Sequence, residues 1–501
     1  MKRLYSIVML LASFGFAMAQ NPGDLDQTFG DNGILEVSPS ASFNQARNFM
    51  VMPDGKIMVA GAARVGDNND MFLARLNPDG SYDTSFGDGG VIIYRPANFY
   101  AHYPDDIDML GDKIIVAGYM FEPGTVPFLM CLNQDGSLNA DFAGGGFSAI
   151  DNGFAMVPRH MVVKDEMIYW SGYRNDIACV ARFYPDGNID SSFGENGFAI
   201  TPLNDYLACN GEELVVLDNG KIIVAGWHNN YGSNYNSAVY CLNPDGSLDT
   251  SFADNGILRL NLSQSHDFFV SICQQNDGKL IAGGHYWIAD SPALQYGVAL
   301  VRFDEKGVLD PTFGDNGIFM HQYFANGESY CVDVEIAEDN QIFFGGWYQC
   351  SGERNLFAAS VNNDGTVNTD FGNDGYTVIP YDGDHQAYDM DIDANGRLVV
   401  MGHDYYNVLL ARLHSGVITD VKEIALPDNK LRVYPNPVAD ELHINGIQEE
   451  GTAMVYDVMG RKVLETTLKT NGSLNVANLP QGAYMLMVIG KNETYKAQFV
   501  K

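Results

Sequence analysis

The chain has 501 residues, 46% of them hydrophobic, and sets 29 Lys and Arg against 63 Asp and Glu for a formal charge of -34. That length holds two to four ordinary domains, or one large repeat array and a small module. So acidic a balance repels phosphate backbones and anionic lipid surfaces, which argues against nucleic acid as a partner, and no stretch beyond the N-terminus approaches the roughly 20 apolar residues of a membrane-spanning helix.

Residues 1–19 have the anatomy of a secretory signal. Lys2 and Arg3 are followed by an apolar run from Ile7 to Ala17, and Ala17-Met18-Ala19 supplies the small residues a signal peptidase needs. Cleavage between Ala19 and Gln20 is predicted, and because the next residue is not Cys no lipoprotein anchor is indicated. In the oxidising compartment this implies, the seven cysteines are few for a disulfide framework and form no CxxC pair. Cys131 and Cys241 stand at the repeat position held elsewhere by Arg75, Arg182, Arg302 and Arg412, so they read as strand residues. Buried thiols or one incidental bridge are expected.

The next ~390 residues are organised by one phrase. It first occurs as Leu25-Asp-Gln-Thr-Phe29-Gly-Asp-Asn-Gly33 and returns around Phe86, Phe142, Phe193, Phe252, Phe313 and Phe371, at spacings of 51 to 61 residues. A near-constant period of this size means one supersecondary unit copied and stacked. Each unit carries four short β-branched and aromatic runs bounded by Gly, Asp and Asn, the pattern of all-β structure. The most apolar run occurs seven times, as in Lys113-Ile-Ile-Val-Ala-Gly118 and Lys221-Ile-Ile-Val-Ala-Gly226. Seven four-stranded units that cannot bury both faces alone predict a closed ring of blades. After Leu413 no phrase or fourth strand remains for the seventh unit, while a surplus copy stands at Leu25 to Val37. The N-terminal strand is therefore expected to complete the last blade as a non-covalent latch.

The sequence Asp-Gly-Lys-Ile-x-Val-Ala-Gly followed by Ala-Arg-Leu-Asn-Pro-Asp-Gly-Ser-Leu-Asp-x-Ser-Phe-Gly resembles the delta-60 repeat, a propeller-forming bacterial repeat with NHL-like strand order. The resemblance covers about residues 22–414 and implies a β-propeller, which with the count of seven makes residues 20–414 a seven-bladed β-propeller and leaves function open.

Residues 415–431 read as a linker. From Arg432 a module of short alternating strands with Gly and Pro turns predicts a small antiparallel β-sandwich over 432–501. It opens with Tyr434-Pro435-Asn436-Pro437, continues with Asp457-Val-Met-Gly460-Arg461-Lys462 and Leu479-Pro480-Gln-Gly482-Ala-Tyr484, and ends on Lys501. These pieces, in this order, resemble the type A sorting domain of proteins exported by the type IX secretion system of Bacteroidota. The resemblance implies the type IX machinery as a partner, passage across both membranes and removal of the sorting domain. The cargo is then anchored to surface lipopolysaccharide or released.

Alternating strand direction puts the tight Asp-Gly turns on one face of the ring and the irregular connections on the other, where binding residues are expected. The residues after the strand-ending glycines include Tyr119, Tyr173, Trp227, His285, Trp347 and His403, with Trp287 close behind. Read as loop residues, they suit stacking on sugar rings or apolar patches, or they plug the channel mouth and pack loop on loop. His102, His228, His266, His321 and His385 are also assigned to these loops, solvated rather than metal-binding, since no HxH or HExxH spacing occurs. No cofactor is expected. Calcium is the one candidate, because Asn77-Pro-Asp79-Gly80-Ser-Tyr-Asp83 loosely resembles an oxygen-rich calcium loop without its full pattern. The function expected is a monomeric, non-enzymatic surface binding or scaffold protein with a glycan or protein ligand. The rival is an extracellular polysaccharide hydrolase or lyase, which requires two or three of His228, His285, His403, Asp404 and Glu328 in one pocket.

Overall fold

A computed structural model describes residues 21–501 except 67, 96–100, 123, 151–155, 201–205, 231–233, 289–294, 325–326, 351, 405, 418–430, 446–450, 458–461, 471 and 490–493. Among the described residues every regular element is a β-strand, and the chain divides into two compact units, 1–419 and 420–501.

In the first unit each repeat forms a four-stranded antiparallel meander, here called a blade and numbered I to VII. The innermost strands are Asn44–Val51, Ala101–Leu110, Val157–Lys164, Tyr206–Val216, Asp267–Gln274, Glu328–Ile336 and Gln386–Ile392. Each touches the innermost strand of the next blade, and that of blade VII touches that of blade I, so the inner strands close a cycle. The second strands, such as Ile57–Val65 and Ile342–Cys350, are buried along most of their length because adjacent blades cover both their faces. Core clusters accordingly span blade boundaries: Phe49, Val59 and Phe72 of blade I pack with Val399, Met401 and Leu410 of blade VII. The outermost strands are only three or four residues long, which limits the unpaired edge shown to solvent.

Blade VII is closed by the N-terminus. Ile34–Val37 pairs antiparallel with Val408–His414 in the register Ile34↔Ala411 to Val37↔Val408. Asp26 secures this latch, accepting from Arg412 Nε at 2.9 Å and Arg397 Nη1 at 2.8 Å. Burial opposes ionisation of Asp26, but hydrogen bonds from Thr28 and the charges of Arg412 and Arg397 outweigh it and bring its pKa to about 2.

The repeated phrase is the joint between blades. In every blade the N–H after its Phe donates to a carbonyl in the following repeat, from Gly30 to Asp79 (2.9 Å) and Gly87 to Asp135 (3.0 Å) round to Gly372, which donates to Pro22 (2.8 Å). Arg75, Arg182, Arg302 and Arg412 lie over Phe86, Phe193, Phe313 and Phe29 at 4.5–4.7 Å and reach the same turns. Where Cys131 replaces the Arg, the Asp it would pair with is Asn139, and where Cys241 does, Lys221 takes the carboxylate of Asp249 at 2.6 Å. The turn carboxylates are similarly engaged: Asp79 accepts from Ser81, and Asp83 from Ser85, Arg75 and Lys56. Among the described residues the seven cysteines form no disulfide; six are buried or half-buried and Cys350 is exposed.

The second unit is two small sheets, one of Arg432–Tyr434, Glu441–Asn445 and Ser473–Asn475, the other of Gly451–Asp457, Lys462–Leu468, Ala483–Ile489 and Thr494–Val500. Leu442, Ile444, Val455, Leu486, Val488 and Phe499 form the core of this sandwich.

Candidate functional site

Each innermost strand carries a β-bulge at the same place. The register slips between Ala46/Asn48, Pro104/Asp106, Pro158/His160, Gly211/Glu213, Phe269/Ser271, Cys331/Asp333 and Ala387/Asp389. Opposite each slip stands the glycine of the Val-Ala-Gly run. A Cβ on Gly226 would lie 1.9 Å from the carbonyl oxygen of Asn210, and one on Gly346 would lie 1.9 Å from that of Tyr330. The glycine therefore marks a close approach of two backbones inside the sheet and does not end the strand.

This corrects the placement of the aromatic candidates. Tyr119, Tyr173, Trp227, His285, Trp287, Trp347 and His403 lie on the second strands, which run past the glycine, and not in loops. Three of them meet the ring of their cross-strand partner: Tyr103–Tyr119 at 5.6 Å, Phe268–His285 at 5.2 Å, and Tyr330–Trp347 at 4.0 Å. His403 stacks on Tyr388 at 4.4 Å. Four of the seven histidines are likewise not solvated: His102, His228, His385 and His403 are buried, while His266, His285 and His321 are half-buried. Burial, with Arg47 adding to it, lowers the pKa of His403 to about 3, and burial lowers that of His285 to about 4.

The bulges turn one extra residue per blade towards the axis, and the inner strands enclose a central cavity of about 510 Å³. The layer nearest the irregular connections is formed by the bulged residues Arg47, Asp105, Arg159, Glu212, Val270, Val332 and Tyr388. Its charges pair off: Arg47 Nη1 is 3.1 Å from Asp105 Oδ1, and Arg159 Nε is 3.5 Å from Glu212 Oε2. Three of the aromatic candidates touch this layer, Trp227 donating to Glu212 at 3.0 Å, Tyr173 lying under Arg159 at 5.5 Å, and His403 stacking on Tyr388.

Deeper lie Asn48, Asp106, His160, Glu213, Asp333 and Asp389, and below them Asp108, Glu335 and Asp391. These carboxylates were not singled out from the sequence. They satisfy the free edge of the neighbouring inner strand, whose N–H groups otherwise face the axis without partners. Asp389 and Asp391 accept from Phe49 N (3.0 Å) and Val51 N (2.7 Å) of blade I. Asp106 and Asp108 accept from Met161 N and Val163 N of blade III. Glu213 accepts from Ile272 N (3.2 Å), and Asp333 from Met390 N (3.2 Å). Burial raises the pKa values of Glu213, Glu335 and Asp389, and the charge of Asp333 raises them further. Burial pushes Asp391 up to about 7 and Asp105, against Arg47 and Arg159, up to about 6. His160, half-buried beside Asp106 and Glu213, is lowered by desolvation to about 4.

None of His228, His285, His403, Asp404 and Glu328 lines this cavity. Glu328 instead accepts from Tyr330 Oη at 2.7 Å, and Asp404 lies 3.9 Å from His385. On the side of the irregular connections a continuous belt of half-buried rings crosses blades IV to VI. Trp227 meets Tyr235 (5.0 Å), Tyr235 meets Phe268 (5.4 Å), His285 meets Tyr330 (5.0 Å), and Arg354 lies 5.9 Å above Trp347.

In the second unit the motif residues gather around the C-terminus. Lys501 exchanges backbone hydrogen bonds with Gly482 (2.9 and 3.1 Å), and its ammonium donates to the carbonyls of Ala439 and Ala477. Asn436 Oδ1 accepts from Val500 N at 2.8 Å, and Tyr484 Oη donates to Pro480 O at 2.7 Å. Leu479 is buried and Tyr434 half-exposed, its hydroxyl accepting from Asn445; Pro435 and Pro437 flank Asn436. Gly460, Arg461 and the signal residues Ala19 and Gln20 lie outside the described residues, and of Asp457 only the strand placement is described.

The family described as "Domain of unknown function (DUF5122) beta-propeller" matches residues 53–86, 112–142, 217–252 and 275–313, and "Secretion system C-terminal sorting domain" matches 432–501. The chain carries DUF5122 β-propeller repeats and a type IX sorting domain. That domain implies export to the cell surface or secretion, and among the described residues no helix is long and apolar enough to cross a membrane. No curated protein matches the chain. Among solved structures it is similar to PorZ, a bacterial surface component of the type IX secretion system of Porphyromonas gingivalis, at 13% identity over 91% of this chain and 70% of that one, with a TM-score of 0.33. It is also similar to the polysaccharide lyase Uly1 (10%, 74% and 90%, 0.45) and to virginiamycin B lyase from Staphylococcus aureus (11%, 76% and 99%, 0.44). Likenesses this distant carry no argument about activity or ligand.

Proposed function

We propose that the propeller, residues 20–414, is a binding protein delivered to the cell surface by its sorting domain, 432–501, through a linker at 415–431. Its ligand is a glycan or a protein held on the face of the irregular connections. The observation that supports this reading is the aromatic belt from Trp227 through Tyr235, Phe268, His285 and Tyr330 to Trp347, whose half-buried rings span three blades. Rings fixed by stacking present apolar area at small entropic cost, which suits sugar faces and protein side chains alike. After export the sorting domain is removed and the propeller is anchored to lipopolysaccharide or released. The test is a glycan array and surface pull-down with the wild type and a Trp227→Ala, Trp347→Ala double variant. Retention lost in the variant supports the reading, and equal retention overturns it.

An extracellular hydrolase or lyase is the second reading. The central carboxylates favour it, since burial that holds a carboxyl protonated prepares a general acid. Turnover in a polysaccharide screen, abolished by Asp333→Asn, would replace the binding-only reading.

A further inference from the structure

Both ends of the propeller meet on the tight-turn face, where Gly23 N donates to His414 O at 2.7 Å. Third strands run towards the tight turns, as Asn68–Leu76 does into Asn77-Pro-Asp-Gly80, and fourth strands run away from them, as Val91–Tyr94 does. A seventh unit with its own fourth strand would therefore hand the chain on at the face of the irregular connections, where the aromatic belt lies. In this protein that strand is Ile34–Val37, supplied by the N-terminus, and the chain leaves instead from the end of a third strand, Val408–His414. Displacing one strand thus moves the exit from the belt's face to the opposite one.

The residues beyond His414 hold to the turn face. Ser415 Oγ accepts from Val417 N at 3.0 Å, and a Cβ on Gly416 would lie 2.5 Å from Pro22 Cγ, so the exit packs against the start of the latch. Val417 lies with Ile336 and Ile392, the last residues of the innermost strands of blades VI and VII, and with the turn that follows Ile392. The exit is therefore close to the axis. From there to the belt's face a chain must pass three further strands, ~14 Å at the usual spacing, and then rise ~30 Å along a strand such as Glu328–Ile336. Residues 418–431 span at most ~45–50 Å, so only their full extension reaches, and removal of the sorting domain within the linker shortens the tether. We infer that the displaced strand orients the propeller at the cell surface: the tether holds the turn face inward, and the belt is presented outward, to ligands arriving from the medium and not to the polysaccharide of the cell that carries it. This rests on the reading of the propeller as a surface-anchored binding protein and names the side from which the ligand of the belt comes.

The test is independent of which ligand the belt takes. Cys350, exposed at the irregular-connection end of Ile342–Cys350, is a natural label site on the belt's face. Asp218→Cys in a Cys350→Ser chain puts a label site on the turn face, where the Asp218 side chain is 96% exposed. Intact cells bearing either chain are treated with a small impermeant maleimide and with a maleimide carried on a large polymer, and the ratio of bulky to small labelling is compared with that of the same chain purified. Cys350 should keep the purified ratio, and the turn-face site should fall several-fold below it. Moving residues 23–40 to stand between Gly416 and Val417 gives blade VII the turn length that residues 77–81 provide between Leu76 and Tyr82. That rearrangement returns the exit to the belt's face and should reverse the two ratios. Equal ratios at the two sites, a lower ratio at Cys350, or recovery of the mature chain only from the medium overturns the inference. Should the rearranged chain fail to fold, the two sites in the natural chain order still decide it. The Trp227→Ala, Trp347→Ala double variant separates this from the binding reading, since it should lose ligand retention with both ratios unchanged.

Discussion

Truncating Phe29 to Ala tests the latch directly. The ring is fully buried, lies 4.5 Å below the Arg412 guanidinium and belongs to the core shared by blades VII and I. Removing a buried Phe side chain costs about 3–5 kcal/mol. Phe86→Ala is the matched comparison, since Phe86 is equally buried and lies 4.7 Å from Arg75, but its blade is continuous in sequence. The strand that Phe29 anchors is held by four register pairs and the Asp26 ion pairs, so its loss should appear as local opening. At about 1.4 kcal/mol per factor of ten, amide exchange along Ile34–Val37 and its partner Val408–His414 should accelerate roughly 10²- to 10⁴-fold. Phe86→Ala should lower global stability without singling out that pair. Hydrogen-exchange mass spectrometry of both variants reads the difference. Unchanged protection at Ile34–Val37 in Phe29→Ala, or equal loss in both variants, would refute the non-covalent closure.

Other outcomes follow from the same geometry. Carboxyls whose folded pKa is raised, Asp391 to about 7, favour the folded state below their unfolded value and lose that contribution as pH rises through 7; above about pH 6.5, where the buried histidines are neutral in both states, the melting temperature should therefore fall as pH rises to about 8, and less so in Asp391→Asn. Gly226→Ala forces a Cβ to within 1.9 Å of the Asn210 carbonyl and should cost roughly 1–3 kcal/mol or more by chemical denaturation. Lys501→Ala removes two charge-assisted hydrogen bonds to Ala439 and Ala477 and should destabilise the sorting sandwich by roughly 1.5–3 kcal/mol, read from its own unfolding transition. Asp83→Asn strands the buried Arg75 guanidinium, and adding Arg75→Cys, the combination present at Cys131 and Asn139, should recover part of the loss in a double-mutant cycle.

The period, the four strands per unit and the displaced N-terminal strand are all legible in the sequence because each is a local pattern repeated, and repetition averages out noise at single positions. The glycine after Val-Ala is the instructive difference. By itself a Gly at the end of an apolar run reads as a strand terminus, and only the slip of the neighbouring strand, an extra residue visible in the pairing of Asn210 with Trp227 and Glu213 with Ala225, explains it. The residues beyond it thus lie on strands, where stacking fixes them. The central carboxylates were hidden for another reason. Asp106-x-Asp108, Asp333-x-Glu335 and Asp389-x-Asp391 do alternate along their strands, and that alternation is the signal available. But each pair is a fragment of a site whose parts lie a whole repeat apart, and only closure of the ring assembles them.

Closure by Ile34–Val37 against Val408–His414 also fixes an order of events. A chain made from its N-terminus offers the first half of the clasp almost at once and the second only after the other blades exist. Until then the first strand has no sheet to join, the last innermost strand has no neighbour to donate to its carboxylates, and the array is an open ribbon. The circle is the final product of a linear synthesis, and the central cavity comes into being with it.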